Sequence, residues 1–120
     1  MIMRWYYISD TYVKVTYSLM SKVQKTKKTQ LHRENAAPEY NQTYEFKIER
    51  SNTDVATIKF DIYHSTSGVV KNDKLLGSLV LGGSMCTRGK ELEHWTEMMA
   101  NPQTTVKRWH DLKIWMWPYV

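Results

Sequence analysis

A chain of 120 residues supports one domain with one core and is too short for two cores of ordinary size. Its 42% hydrophobic and 24% charged residues are globular usage, and no stretch approaches the roughly 20 apolar residues that span a bilayer. The net charge of +5 and a pI near 9.3 favour acidic partners, whether lipid headgroups, nucleic acid or an acidic protein face.

In chain order, "MIMRWYYISD" is apolar and aromatic, yet too short for a signal peptide and without a small-residue cleavage site, so no export signal is read. Cys86 is the only cysteine, which rules out an internal disulfide framework or thiolate zinc site and points to a reducing compartment. Tyr12, Val13, Val15 and Tyr17, interleaved with Thr11, Lys14 and Thr16, predict a first strand. A cluster of cations follows, Lys22, Lys25, Lys27, Lys28 and Arg33, with no acid before Glu34. Period two sets Lys25 and Lys27 on one face and Thr26 and Lys28 on the other.

"RENAAPEYN" is a connection, because Pro38 cannot sit in a central strand. "TYEFKI", residues 43–48, predicts a strand with Tyr44, Phe46 and Ile48 on one face, and "VATIKFDIY", residues 55–63, another with Ile58, Phe60 and Ile62 together. After the loop "HSTSGVVKND", the mostly apolar "LLGSLVL", residues 75–81, suits an inner strand. In "GKELEHWTEMMANP" the period switches: Leu92, Trp95, Met98 and Met99 recur at helical spacing until Asn101 and Pro102 stop it. "TVKRWHDL", residues 105–112, predicts a last strand. Many short strands and one helix point to a β-sandwich.

"SDTYVKV", then a lysine run before "APEYNQTYEF", then "ELEHWTEMMANP" leading to "RWHDL" together resemble the second C2 domain of the synaptotagmins and related tandem-C2 proteins. The likeness runs from about Ile8 to Leu112 in a single domain over 1–120, with atypical ends at 1–7 and 113–120. It implies an all-β, antiparallel C2-type sandwich with one helix before the last strand. Family members carry a longer segment before the Ser-Asp-Pro-Tyr position, where this chain has only "MIMRWYYI", so the sandwich is expected to lack its first strand unless the ends patch it.

The resemblance also implies site residues. Asp10 and Asp73 match two calcium-ligand positions, but Tyr63-His64-Ser65, or Ser65 and Ser67 in a shifted alignment, replace the Asp-x-Asp pair. Asp61, one position removed along its strand, faces the wrong way. Calcium takes six to eight oxygen ligands, so no metal or other cofactor is expected, and the two aspartates are read as vestigial. Lys22, Lys25, Lys27, Lys28 and Arg33 are the candidates for binding anionic phospholipids, phosphoinositides, or membrane-fusion and adaptor proteins. The plainer reading is a solvated face that blunts a sheet edge. Trp109, His110 and Leu112 match a docking motif, although filling the core is the simpler role for the tryptophan or leucine. In place of the paired arginines that follow the helix in the family stand Gln103 and Thr104, with Lys107 and Arg108 close by on the expected last strand.

No convergent nucleophile and base, and no Gly-rich phosphate loop, point to catalysis. His94 between Glu91 and Glu97 reads as an ordinary helix surface. Nucleic acid is not an expected partner, because the aromatics fall on buried faces and no RNP or zinc motif occurs. The resulting expectation is a non-catalytic, calcium-independent binding module in vesicle trafficking and exocytosis, cytoplasmic and peripheral at a membrane or vesicle surface. The alternatives are a calcium-dependent phospholipid binder, a truncated product and a nucleic-acid binder.

Overall fold

The computed structural model describes residues 9–35, 40–65 and 73–114. The fold is an all-β antiparallel sandwich built around one long strand. β1 (Ser9–Leu19) lies at the centre, β4 (Ala56–His64) pairs along one edge, and β2 (Lys22–Lys28) and β3 (His32–Asn35) share the other. β5 (Lys74–Gly82) pairs with β4, and β6 (Lys113–Ile114) with β5, so all six strands lie in one sheet.

The strands form where period two puts apolar residues on one face. Thr11, Val13, Val15 and Tyr17 are buried, whereas Tyr12, Lys14 and Thr16 between them are only half-buried. The register places Val13 opposite Ile62, Val15 opposite Phe60 and Tyr17 opposite Ile58, and β5 continues the row with Leu79 and Leu81. A fully buried aliphatic side chain contributes about 1.5–3 kcal/mol. This row runs through the hydrophobic core. A slip of one residue would carry it to the wet face.

The second layer is built differently from the expectation. Residues 43–48 are not a strand, yet Tyr44, Phe46 and Ile48 are half-buried and pack against the core while Glu45, Lys47 and Glu49 are exposed. The alternation survives as a packing pattern. A ladder needs a second backbone to pair with, and none among the described residues pairs with this segment. The expected last strand also differs: residues 105–112 are irregular, and the pairing with β5 falls on Lys113 and Ile114. Ser67 and the ends 1–7 lie outside the described residues.

α1 (Gly89–Ala100) stops where the sequence predicts. Asn101 donates its backbone N–H to the Met98 carbonyl at 3.3 Å and its Nδ2 to the Glu97 carbonyl at 2.9 Å. Trp95 closes the layer, 2% exposed, its Nε1 donating to the Thr53 carbonyl at 3.0 Å. No helix among the described residues is long and apolar enough to cross a membrane.

Two backbone positions are demanding. The β1–β2 hairpin closes through Met20 and Ser21, with φ of 47° and 67°, between the paired Leu19 and Lys22. That is the left-handed conformation of a type I′ turn, for which Asn-Gly is preferred; in non-glycine residues it costs about 1–2 kcal/mol each. Gly83 sits where the chain crosses the 53–54 backbone: an added Cβ would lie 2.2 Å from the Thr53 carbonyl oxygen and 2.4 Å from Asp54 Cα. Gly83→Ala is therefore expected to lower unfolding stability by about 1–3 kcal/mol in urea titration. A change within error would show that the two segments are not packed so closely.

Candidate functional site

The lysines of β2 are set by the β1 register. Lys25 and Lys27 lie opposite Tyr17 and Val15 and share their face; Thr26 and Lys28 lie opposite Thr16 and Lys14 on the other. An irregularity between Tyr17 and Ser18 then brings Lys22 opposite Leu19. Lys22, Lys25 and Lys28 are exposed and Lys27 is half-buried. Every partner across the ladder is neutral or cationic, and among the described residues no carboxylate pairs with any of the four. Arg33 belongs to β3, farther along the same edge of β1.

The opposite face adds a residue that linear reading passed over. Lys14 stands directly across from Lys28, an arrangement of like charges that is unfavourable in a sheet. Lys28 Nζ lies 5.7 Å from the centroid of the Tyr12 ring, within reach of a cation–π attraction. Tyr12 in turn stacks on Tyr63 at 5.5 Å between centroids. Lys14 was invisible as a member of the cluster because only the cross-strand register brings it there.

Asp10, Ser65 and Asp73 mark one end of the sheet. Ser65 N–H donates to the Asp10 carbonyl at 2.9 Å, and Tyr12 Oη donates to Asp73 Oδ2 at 2.6 Å. Burial, and then the Asp73 carboxylate, hold the Tyr12 phenol well above its ordinary pKa, so Tyr12 stays a proton donor and occupies one Asp73 oxygen. His64 Nδ1, buried, has no hydrogen-bond partner among the described residues. Among the described residues no group of three or more His, Cys, Asp or Glu side chains is placed to hold a metal. Asp61, 6% exposed, is structural: it accepts a hydrogen bond from Ser78 Oγ at 2.6 Å and lies 3.6 Å from Lys59 Nζ.

The Trp109, His110 and Leu112 positions separate. Leu112 packs against the core. Trp109 does not: it is 82% exposed, because residues 105–112 are held to α1 by side chains rather than by a ladder. Arg108 donates to Glu97 Oε2, its Nε at 3.0 Å, and reaches Glu93 Oε2 at 3.9 Å. Its charge is thus engaged by carboxylates on α1, and it does not stand on a strand as expected.

His94 corrects the helix-surface reading. It is buried and its ring lies nearly parallel to that of His110 at 5.0 Å, with His94 Nδ1 and His110 Nε2 2.8 Å apart. His94 Nε2 faces the Val106 carbonyl at 3.4 Å. A carbonyl only accepts, so His94 Nε2 carries a proton toward Val106, and in the neutral tautomer of His94 its Nδ1 accepts from His110 Nε2–H. His110 Nδ1 is left buried without a partner. A helical residue flanked by glutamates gives no sequence signal of such a pair.

A family model described as C2 domain matches residues 4–98. The chain is 32% identical over 111 residues to Synaptotagmin-B of Diplobatis ommata, covering 88% of this chain and 23% of that protein. It is 30% identical over 112 residues to Synaptotagmin-1 of Homo sapiens, covering 89% of this chain and 24% of that protein. To Synaptotagmin-2 of Homo sapiens it is 28% identical over 111 residues, at 88% and 24% coverage. The chain thus spans about a quarter of the length of these relatives.

The histidine pair predicts a pH dependence. Burial above all holds the His94 pKa below its ordinary 6.5, against the raising effect of the hydrogen bond to the Val106 carbonyl; His110 and Arg108 lower it further by smaller amounts, and Glu97 raises it least. The unfolded chain therefore binds the proton more tightly, and the stability contributed by neutral His94 is complete above pH 6.5 and lost as pH falls through the lower folded value. Thermal unfolding scanned from neutral to mildly acidic pH should show a falling Tm, and His94→Asn should flatten the slope. An unchanged slope in the variant would exclude His94 as its source.

Proposed function

The chain belongs to the C2 domain family, and from that premise we propose that it is a non-catalytic module that binds anionic phospholipid, phosphoinositides above all, through β2 and without calcium. It would act at the cytoplasmic surface of a membrane or vesicle, in vesicle trafficking and exocytosis. The observation that carries this reading is the row of Lys22, Lys25, Lys27 and Lys28, whose ladder partners include no acid. Arg33 and Lys14 extend it on the neighbouring strands. A strand that only had to blunt a sheet edge needs one or two lysines, not a row reinforced by a like charge across the ladder.

Calcium independence is supported by the donor set. Asp10 and Asp73 provide two carboxylates where calcium takes six to eight oxygens, and one Asp73 oxygen already accepts the Tyr12 hydroxyl. A site of this kind offers a divalent ion too little charge to offset its dehydration. The familial resemblance and the absence of any nucleophile–base pair in the sequence also support a binding rather than a catalytic role.

A second contact is favoured by one specific observation. The Trp109 indole is 82% exposed on a segment pinned to α1 through Arg108, and large aromatics in the open are common anchors of protein interfaces. Through Trp109, with His110 and Leu112 positioning it from behind, the module could hold a membrane-fusion or adaptor protein while β2 holds lipid.

Cosedimentation with phosphatidylserine and phosphatidylinositol bisphosphate vesicles tests the main reading. Lysines near an anionic surface contribute about 1 kcal/mol each, so changing Lys25, Lys27 and Lys28 to alanine should weaken binding by about 3 kcal/mol, roughly a hundredfold. Binding should be equal in calcium and in chelator and should fall with salt. Binding that appears only with calcium would sink the calcium-independent reading. Trp109→Ala should leave vesicle binding unchanged.

A further inference from the structure

We propose that the tip of the β1–β2 hairpin and the loop after β5 form a hydrophobic foot that enters the bilayer interface, at the end of the sheet opposite Asp10 and Asp73. The inference rests on the lipid-binding reading above and adds to it a second, apolar contact.

Met20 and Met85 are 71% and 76% exposed, and Val23, beside the turn, is 63% exposed. Met20 and Met85 lie far apart in sequence but meet at one connection: Met20 N–H donates to the Val55 carbonyl at 3.0 Å and Met85 N–H to the Asp54 carbonyl at 3.1 Å. Both tips therefore rise from adjacent residues. Met20 moreover occupies a left-handed turn position, φ 47°, where a small or polar residue fits better and a long apolar one gains nothing from the fold. A strained backbone that displays an exposed thioether is better explained by what the side chain contacts than by the turn itself.

The chemistry at this end suits a lipid surface. Lys22 closes the hairpin beside Met20 and begins the cationic row of β2. Arg88, exposed, precedes α1 a few residues beyond Met85. The carboxylate between the tips is Asp54, which accepts from Ser84 Oγ at 3.5 Å. Unbranched, flexible methionines projecting singly from separate loops give no flat apolar face for a protein interface of the usual ~1,600 Å². They do fit the disordered acyl boundary, where separate protrusions each bury their own surface below a layer of cation–phosphate contacts. Cations on β2 and apolar tips beside it would then tilt the sheet with its β1–β2 turn toward the bilayer.

The test uses Cys86, exposed and one residue from Met85, as a natural attachment point. The full chain carries an environment-sensitive fluorophore on Cys86, and vesicles of phosphatidylcholine, phosphatidylserine and phosphatidylinositol bisphosphate contain nitroxide on the acyl chains, all in chelator. Bound protein should show a blue-shifted, quenched probe. In unlabelled protein, Met20→Gly with Met85→Ser should bind about tenfold more weakly, from lost apolar burial, while its Tm is kept or raised because glycine relieves the turn. Vesicle binding with an unquenched probe and an unweakened double variant would overturn the foot and leave the lysine reading standing. Failure of the parent chain to bind any vesicle would overturn both.

Discussion

The structure depends on the register of β1. One strand, paired along both edges, fixes at once which residues are core and which lysines stand where. Val13, Val15 and Tyr17 bury against β4, and the same pleat sets Lys25 and Lys27 on their face and Lys28 beside Lys14 on the other. Core and cationic row cannot be moved independently, since a shift that frees one lysine exposes a valine. The charges are thus displayed on a rigid element, so that meeting a surface orders their side chains but not the backbone that carries them.

The two ends of the sheet have diverged in character. Around Asp10 and Asp73 the Tyr12 phenol donates to Asp73, and Ser65 closes onto Asp10 through backbone. At the other end the backbone hydrogen bonds are also made, but the side chains of Met20 and Met85 are left in water. α1 forms a third region, where the contact between buried His94 and half-buried His110 and the Arg108 contacts to Glu97 and Glu93 hold the segment bearing Trp109. Membership of the C2 family fits this division, with a common scaffold and chemistry carried by edges and loops.

Much of this was legible in the sequence where a local period decides. β1, β4, β5 and α1 appear within a few residues of their predicted bounds, because each buries one face and periodicity reports burial. The alternation of Tyr44, Phe46 and Ile48 was equally correct about facing and wrong about the strand, since a hydrogen-bonded ladder requires a partner that a local pattern cannot supply. Residues 105–112 fail similarly: Leu112 turns inward as alternation implies, but side-chain ties to α1 replace the ladder and leave Trp109 outside. Lys14 joined the cationic surface only through cross-strand register. The burial of His94 was hidden by its glutamate neighbours, and Met20-Ser21 lacks the Asn-Gly signature by which such turns are read.

The central claim is that β2 is the lipid-facing element and needs no calcium to act. The most direct measurement is the amide NMR spectrum of the chain titrated with phosphoinositide-containing nanodiscs in chelator. The account predicts that resonances of Lys22–Lys28 and of Lys14 broaden first, with Asp10, Ser65 and Asp73 little affected. Perturbation confined to Asp10, Ser65 and Asp73, appearing only once calcium is added, would contradict it.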